Sequence, residues 1–380
     1  MLDALRAGTQ RYENWLTECA LPLWWNNGGD HSAGGYYELL SPDDTPPPTN
    51  RRARVQSRQS YVYAQAGALG WNGPWREAAA HGIDYLFSHY RQGAGEVSTL
   101  VSPQGVVLDS AHMLYDQAFA LLATASVYRM MPERGDLKIE AEALFKVILE
   151  TRSLPQGGFR ESGDKAYISN PHMHLLEALL AWCEADPEGN WGEYADRVAE
   201  LALTKFIDAQ GGFLREFFAA DWSPAPGADG HVVEPGHQFE WAWLLLAWGK
   251  IRGRAEAVPA AQTLYLHGCR GIDPARDAAI HAMDDSFAVT VPTARLWAQT
   301  ERIKAALALL PYAKDKSTKD ALIQDALQGM ATLWRYLDTP TKGLWYDRFE
   351  PDGQFVVEPS PASTFYHIMC CILCMRQAVA

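Results

Sequence analysis

The sequence predicts an all-α protein of the (α/α)6 class, a toroid (barrel) of six helical hairpins with short β-like loops at its mouth. Three observations support this. A short segment of glycine, an aromatic residue and an acid recurs with a period of about 62 residues. An apolar helix follows each recurrence, and amphipathic helices alternate with the apolar ones. The length of 380 residues suits two domains or one closed repeat array, and we predict a single domain over residues 1–380.

The recurring glycine-aromatic-acid segments are called tips below. They read GGYYE (34–38), GGFRE (157–161), GGFLRE (211–216) and GLWYD (343–347). Their starts differ by 123, 54 and 132 residues, which is close to two, one and two periods. Two further places in the series fall near residues 102–109 and 281–285. Since strand-like residues are confined to these short segments, no parallel sheet is expected.

Two sets of six helices fill the space between the tips. The apolar set, expected to be buried inner helices, covers residues 54–69, 114–128, 171–182, 235–248, 295–310 and 365–375. The amphipathic outer set covers 2–20, 75–91, 136–151, 191–208, 256–270 and 318–337. Pro259 interrupts the fifth outer helix, and a capping box from Ser317 to Asp320 is predicted to begin the sixth.

Six hairpins form either an open solenoid or a closed ring. An open solenoid needs polar caps at both ends. The first and last inner helices here are as apolar as the middle ones, which favours the closed ring. The N-terminal ends of the inner helices are then expected to meet around one central pocket.

Charge and composition exclude several classes of partner. The net charge of −13 argues against binding to nucleic acid or to an anionic membrane. The six cysteines lack the spacing of a disulfide framework, and Cys370, Cys371 and Cys374 lie in an apolar run typical of buried residues. The N-terminus lacks the pattern of a signal peptide, and no window of 18 apolar residues occurs. We expect a cytoplasmic monomer or homodimer.

A repeated tetrapeptide draws attention to two histidines. VVEP starts at Val232 and again at Val356, 124 residues or two periods later, and His237 and His367 follow. We predict that both stand at N-terminal ends of inner helices and face one cavity. The positive end of a helix disfavours an imidazolium, so both are expected to be neutral and able to act as bases near pH 7.

A histidine in an apolar helix is more often a buried structural residue, but the recurrence favours function. His174 begins a third inner helix. Glu177 and Glu240 lie three residues after His174 and His237, where a carboxylate can hold an imidazole in one tautomer. Glu177 suits a solvent-facing position equally well.

Other residues at the same ends of inner helices suit a sugar. Aromatic rings such as Tyr115 and Trp297 cover sugar C–H groups, while Arg58 and Asn170 bond hydroxyls. No HExxH, CxxC pair, GxGxxG or P-loop occurs, and His172 and His174 point to different helix faces. We therefore predict neither a metal nor a cofactor.

Six stretches together resemble the N-acylglucosamine 2-epimerase superfamily, which includes mannose isomerases, sulfoquinovose isomerases and cellobiose 2-epimerases. They span residues 56–368 and read QSRQSYVYA, LYDQAFALLA, NPHMHLLEALLA, PGHQFEWAWLL, RLWAQTE and FYHI. The resemblance implies a metal-independent (α/α)6 barrel acting on free sugars, with His237 and His367 as acid and base. The substrate-binding residues it implies are Arg58, Tyr115, Asn170, His174, Glu240 and Trp297.

The chemistry implied by the family begins with an open-chain aldose, whose C2 proton a histidine removes to give a cis-enediol. Arg58, with Asn170 or His174, stabilises the oxyanion. The proton returns to C1 in an aldose–ketose isomerase and to C2 in a 2-epimerase. The Tyr366-His367-Ile368 segment is similar to isomerases acting on mannose-like sugars, whereas QSRQSY is closer to the N-acylglucosamine branch. We favour a mannose/fructose-type isomerase, with a 2-epimerase as the alternative.

Two other classes compete. An inverting glycoside hydrolase on the same fold needs two carboxylates about 6.5–9.5 Å apart. The candidates are Asp109, Asp116, Glu216, Glu240, Asp284 and Asp285. A helical interaction scaffold would instead present an extended apolar surface and no pocket.

Overall fold

The computed structural model describes residues 1–93 and 95–380, and thirteen α-helices occur in these residues. They are α1 (Leu2–Trp15), α2 (Leu21–Asn26), α3 (Ala53–Leu69), α4 (Trp75–His89), α5 (Leu114–Met130), α6 (Gly135–Arg152), α7 (Ser169–Ala185), α8 (Trp191–Leu201), α9 (Pro235–Arg252), α10 (Ala257–Arg270), α11 (Leu296–Leu309), α12 (Lys316–Leu337) and α13 (Phe365–Val379). None of these helices has both the length and the hydropathy needed to cross a membrane.

All twelve predicted helices are present. The inner helices are α3, α5, α7, α9, α11 and α13, and they alternate with the outer helices. The first outer helix, α1, continues through a π-helical turn (Leu16–Ala20) into α2. Pro259 lies in the first turn of α10, where a missing N–H breaks no intrahelical bond.

The predicted capping box at α12 is wrong. Helix α12 begins earlier, and its cap is Asp315, whose carboxylate accepts a hydrogen bond from the Thr318 N–H at 2.8 Å. An aspartate at the N-cap fulfils the same role as the predicted serine.

The strands are two or three residues long. They are β1 (Leu39–Leu40), β2 (Arg51–Arg52), β3 (Arg91–Gln92), β4 (Glu96–Val97), β5 (Leu100–Val101), β6 (Val107–Asp109), β7 (Ile272–Asp273), β8 (Ala278–Ala279), β9 (Ala282–Met283), β10 (Val289–Val291), β11 (Ala294–Arg295), β12 (Arg348–Phe349) and β13 (Ser360–Pro361). Strands β2, β5 and β6 form one antiparallel sheet, and β3–β4, β7–β8, β9–β10 and β11–β12 form antiparallel pairs. Within the described residues, these short strands lie in the loops between helices, as the sequence predicts.

The chain divides into two compact units. The N-terminal unit comprises residues 21–201 and 361–366, and the C-terminal unit comprises 1–20, 202–360 and 367–380. In the N-terminal unit, α5 packs against α3, α6 and α7, while α3 packs against α4 and α7 against α8. In the C-terminal unit, α9 packs against α10 and α11, and α12 packs against α11 and α1. A single domain over residues 1–380 stays a prediction.

Glycine recurs in the tips because the backbone turns there through the left-handed region. The φ angles are 89° at Gly34, 89° at Gly157, 71° at Gly212 and 97° at Gly343. Residues with a side chain rarely adopt such angles. The repeated glycines therefore mark four turns of similar backbone conformation.

Three tip acids bind the N-terminal ends of inner helices. Glu161 accepts hydrogen bonds from the N–H groups of Leu114 and Tyr115, at 2.6 and 3.0 Å. Glu38 accepts from the Arg52 N–H, and Asp347 accepts from Nε of Arg295 at 3.0 Å. Some of these acids accept hydrogen bonds from N–H groups that a helix leaves unpaired at its start. Others pair with the side chain of the residue that precedes the helix. The fourth tip acid, Glu216, has another partner.

Buried glutamines hold the loops onto the inner helices. Gln56, Gln117, Gln238 and Gln299 are fully buried, and each side-chain amide bonds both the N–H and the C=O of one loop residue. The loop residues are Tyr36, Val97, Leu214 and Ala279, at 2.7–2.9 Å. Sequence analysis did not foresee these contacts.

Replacing Gln117 by leucine should destabilise the fold. The substitution leaves the buried N–H and C=O of Val97 without their partner, which costs roughly 2–4 kcal/mol of unfolding free energy. Equilibrium unfolding in urea measures this loss, with Gln324→Leu on the exposed face of α12 as the control. An unfolding free energy equal to that of the control would show that the amide does not hold the loop.

Candidate active site

His237 lies in the first turn of α9 and is nine-tenths buried among carboxylates. Its Nδ1 is 2.9 Å from Oε2 of Glu216, the fourth tip acid, and 3.5 Å from Oε2 of Glu234, the N-cap residue of α9. The hydrogen bond to Glu216 fixes the ring and leaves Nε2 for chemistry. Sequence analysis assigned this orienting role to Glu240, but the structure gives it to Glu216.

His367 lies in the first turn of α13 and has a carboxylate partner of its own. Its Nδ1 is 2.9 Å from Oε1 of Glu301, a fully buried residue of α11. The second VVEP copy ends at Pro359, whereas α13 begins only at Phe365. The two tetrapeptides therefore differ in their relation to the helix that follows, although both histidines stand where predicted.

Trp297 brings the two histidines together. Its ring centroid is 5.1 Å from that of His237 and 5.8 Å from that of His367. The residue before His237 is Gly236, where a Cβ atom would lie 2.4 Å from the Trp297 ring. Only a glycine allows this approach. Glu240 belongs to the same group of residues, because its carboxylate lies within 4.8 Å of a carboxylate oxygen of Glu301 and a ring nitrogen of His367.

The carboxylates decide the protonation of His237. Burial by itself would lower the pKa of the imidazole, but Glu216 and Glu234 outweigh burial and raise it to about 10. Burial also raises the pKa of Glu234 to about 7. The prediction that a histidine at this helix end is neutral is therefore wrong for His237, because nearby carboxylates exceed the effect of the helix dipole.

In the N-terminal unit, Arg58 and Tyr115 lie together. Nη2 of Arg58 donates to the Tyr115 hydroxyl at 2.6 Å, and Nη1 donates to the Ser363 carbonyl at 2.9 Å. The guanidinium also lies over the Phe119 ring, 4.1 Å from its centroid. Among the described residues Arg58 forms no ion pair with a carboxylate. A cation of this kind can bind a developing oxyanion.

His174 and Asn170 lie in the first turns of α7 in the same unit. The His174 ring packs against Phe119 and Tyr115, with centroids 4.4 and 4.9 Å away. Its Nδ1 is 3.6 Å from Glu177, too far for a hydrogen bond, so the expected orienting bond is wrong. Glu177 is buried and accepts from the Tyr366 hydroxyl, so a solvent-facing Glu177 is also wrong.

His172 has the structural role expected of a buried histidine. Its Nε2 accepts a hydrogen bond from the Phe159 N–H at 2.9 Å, and burial lowers its pKa to about 4. It faces a different set of residues from His174, as the spacing on a helix predicts.

Two groups in the C-terminal unit resemble metal sites in composition: Glu216, Glu234 and His237, and Glu240, Glu301 and His367. In both, the imidazole Nδ1 is hydrogen-bonded to a carboxylate, and in the second an ammonium of Lys304 lies 2.6 Å from Glu301. The imidazoles and carboxylates are thus hydrogen-bonded to each other, and one carboxylate is also paired with a lysine. This arrangement is typical of proton transfer rather than metal ligation. Metal independence stays a prediction.

Three of the six candidate acids for glycoside hydrolysis pair with a cationic or histidine side chain. Asp116 pairs with Arg54 at 2.7 Å, and Glu216 holds His237. Asp109 is exposed, and Asp285 pairs with Arg215 and His231. A groove of about 370 Å³ in the N-terminal unit, lined by residues such as Arg152 and Glu161, contains none of the predicted site residues.

The described residues form helical hairpins that contain two buried histidine–carboxylate pairs. The model of the N-acylglucosamine 2-epimerase family matches residues 34–371, and the chain belongs to this family. It is 44% identical over 364 residues to a mannose-6-phosphate isomerase of Rhizobium meliloti, covering 94% of both chains. It is 25% identical over 350 residues to a D-mannose isomerase of Marinomonas mediterranea, covering 84% of this chain and 85% of that one.

The structure is similar to that of a cellobiose 2-epimerase from Bacillus thermoamylovorans, with a TM-score of 0.88 and 18% identity over 98% of this chain and 100% of that one. This likeness confirms the predicted (α/α)6 fold. The resemblance to the family is confirmed as well, and the protein is a sugar-acting enzyme of the isomerase and epimerase class.

Replacing Glu216 by glutamine should lower the pKa of His237. A folded-state pKa raised above the unfolded value adds stability at pH values below the unfolded pKa, and this stability is lost as pH rises through the folded value of about 10. The unfolding free energy of the wild type should therefore fall more steeply between neutral pH and pH 10 than that of the variant. Denaturant unfolding at several pH values measures the difference. Equal slopes would show that Glu216 does not control His237.

Proposed function

We propose that the protein interconverts a mannose-type aldose and its ketose, with His237 and His367 as the acid and base. One observation carries the proposal: two buried histidines contact one tryptophan ring, and each is held at Nδ1 by its own carboxylate. This arrangement fixes the orientation of both rings for proton transfer at Nε2. The relatives named D-mannose isomerase and mannose-6-phosphate isomerase support a mannose-type substrate.

The reaction needs two proton-carrying groups of opposite character. A neutral imidazole takes the C2 proton, the C–H electron pair forms the C1–C2 double bond, and the carbonyl electrons move to O1. A cationic imidazole protonates O1 and so gives the cis-enediol. His237, whose pKa is raised to about 10 by its carboxylates despite burial, suits the cationic role. Return of the first proton to C1, with transfer of the O2 proton to the imidazole that protonated O1, yields the ketose.

The other predicted site residues supply the remaining groups of the proposal. Arg58 is to bind the developing negative charge, because its guanidinium is held by a hydroxyl and a carbonyl rather than by a carboxylate. Tyr115, Asn170, His174, Glu240 and Trp297 are to contact the sugar. The buried Oδ1 of Asn170 has no hydrogen-bond partner among the described residues, which suits a contact to a sugar hydroxyl.

The arginines favour an unphosphorylated sugar. Arg52, Arg54 and Arg295 each pair with a carboxylate, at 2.6, 2.7 and 2.9 Å. Only a cation free of such pairing can balance a phosphate dianion at low cost, and Arg58, which has no carboxylate partner among the described residues, is assigned to the developing oxyanion. We therefore infer that mannose is preferred to mannose 6-phosphate. A cytoplasmic location and a monomeric or homodimeric state complete the proposal.

The reaction itself tests the proposal. Enzyme treated with EDTA and incubated with mannose in D2O should produce fructose carrying deuterium at C1, because the base exchanges its proton with solvent during the enediol's lifetime. NMR identifies the product and the labelled carbon, and mannose 6-phosphate is assayed in parallel. Glucose labelled at C2 would instead establish the 2-epimerase. Loss of activity with EDTA would contradict metal independence, and faster turnover of the phosphate ester would contradict the preferred substrate.

Alanine at either histidine should abolish most turnover. His237→Ala and His367→Ala each remove one proton-transfer group, so kcat should fall by roughly 10²–10⁴-fold. The matched control is His231→Ala in the same unit, since His231 is exposed and pairs with Asp285. Circular dichroism shows that each variant is folded. Near wild-type kcat in a folded variant would remove that histidine from the mechanism.

A further inference from the structure

Lys304 in α11 is a lysine with no exposed surface. Lysines are almost never fully buried unless they are paired. Its Nζ is 2.6 Å from Oε2 of Glu301, one turn earlier in the same helix, and 3.9 Å from the centroid of the Trp243 ring in α9. The ammonium is thus balanced by a carboxylate on one side and by an aromatic face on the other.

Glu301 connects this lysine to His367. Oε2 faces the ammonium, whereas Oε1 is 2.9 Å from Nδ1 of His367. Lys304 comes first among the groups that lower the pKa of Glu301, to about 2, against the effect of burial. An ionised Glu301 accepts the Nδ1–H of a neutral imidazole, and this tautomer leaves the Nε2 lone pair as the base.

The surroundings of His237 differ from those of His367 in how directly a cation balances their carboxylates. Glu216 and Glu234 both lie within 3.5 Å of its Nδ1, and the cation that acts on Glu234 is Arg295. Around His367 the charge of Glu301 is matched by the ammonium of Lys304 in direct contact. An excess of negative charge favours an imidazolium, whereas a balanced pair does not.

Stability alone does not account for this pair. A fully buried ion pair contributes little net free energy, because desolvation of both charges offsets their attraction. Two apolar residues of similar volume would fill the same space in α11 at no greater cost. The charge of Lys304 therefore calls for a role beyond packing.

We propose that Lys304 is a positioning residue that balances the charge of Glu301 and thereby keeps His367 neutral, as the base of the isomerisation. The proposal rests on the function proposed above and divides the roles: His367 takes the C2 proton and His237 is the cationic acid. Lys304 does not touch the substrate in this scheme. It acts through Glu301.

Within the C-terminal unit, Glu240 from α9 and Glu301 from α11 lie beside His367, while Lys304 from α11 and Cys371 from α13 act on Glu301. Burial raises the pKa of the Cys371 thiol well above its usual value, so the thiol is uncharged at neutral pH. Glu240 remains the same in wild type and variants. A difference between them therefore reports the charge at position 304.

The test measures the protonation of His367 directly. In Lys304→Met the carboxylate of Glu301 loses its counter-charge, and the pKa of His367 should rise by about one unit or more. NMR titration of ¹⁵N-labelled histidine, assigned with His367→Ala, measures this shift without any assay of activity. The acidic limb of the pH profile of kcat/KM should move up by the same amount, with activity recovering at alkaline pH. Lys319→Met, at an exposed lysine of α12, is the control.

Two further variants separate charge from packing. Lys304→Arg keeps the positive charge and should leave the acidic limb near its wild-type position. Glu301→Gln with Lys304→Met removes both charges and should return the pKa of His367 toward the wild-type value. Where Lys304→Met does not fold, Lys304→Gln takes its place, since an amide can donate to Glu301 without charge.

A pKa of His367 unchanged in a folded uncharged variant would overturn the proposal, as would an equal loss of kcat at every pH. Neither result bears on the proposed function, because that function depends on turnover of mannose by the wild type and on the two histidines. If the wild type converts no aldose, the NMR shift still decides whether Lys304 controls His367.

Discussion

The hydrogen bonds between buried glutamines and loop backbone are the constraint on which the site depends. A loop buried against an apolar helix has to satisfy its own N–H and C=O groups. Gln238 does this for Leu214, and the chain then reaches Glu216 two residues later. His237 precedes Gln238 by one residue. The hydrogen bonds of Gln238 and the carboxylate–imidazole bond therefore join the same loop to the same helix, so the first set of bonds helps to position the second.

The tips show how a structural repeat supplies a functional group. At α5 the tip acid Glu161 binds backbone donors, and at α11 the tip acid Asp347 binds the arginine before the helix. At α9 the first turn contains His237, and the tip acid Glu216 binds its imidazole. The backbone geometry of the tip is retained, and only the acid's partner differs. A chemical role thus requires one histidine at a position where the fold already places a carboxylate.

The two VVEP copies show how much a sequence pattern can predict. Both signalled a histidine, and both histidines lie in the first turn of an inner helix. In the first copy, Glu234 is the N-cap residue of α9, and its carboxylate lies 3.5 Å from Nδ1 of His237. In the second copy, Glu358 pairs with Arg348 at 2.6 Å, away from the histidine in the chain. The repeated tetrapeptide predicted the two histidine-bearing helices, but it did not predict the different contacts of its two glutamates.

The helices and tips follow from periodicity, because an apolar pattern and a glycine turn are local features. The partners of the histidines do not, since Glu216 and Glu301 are 21 and 66 residues away from them in the chain. A search for an acid three residues away within one helix finds Glu240 and Glu177 instead. The same limit explains the wrong protonation state of His237: the dipole of α9 can be read from the sequence, whereas the carboxylates that outweigh it are brought in by folding.

The buried charges of the C-terminal unit contribute little to stability and, in the proposed mechanism, serve the chemistry. Glu216, Glu301, Lys304 and both histidines are nearly or fully buried, and their removal from water carries a desolvation cost that pairing only offsets. A protein selected for stability alone would replace them with apolar side chains. In the proposed mechanism, the charges provide a difference in protonation between two chemically identical groups. That difference is what an acid and a base need at a single pH, and it has to come from surroundings as unlike as those of His237 and His367.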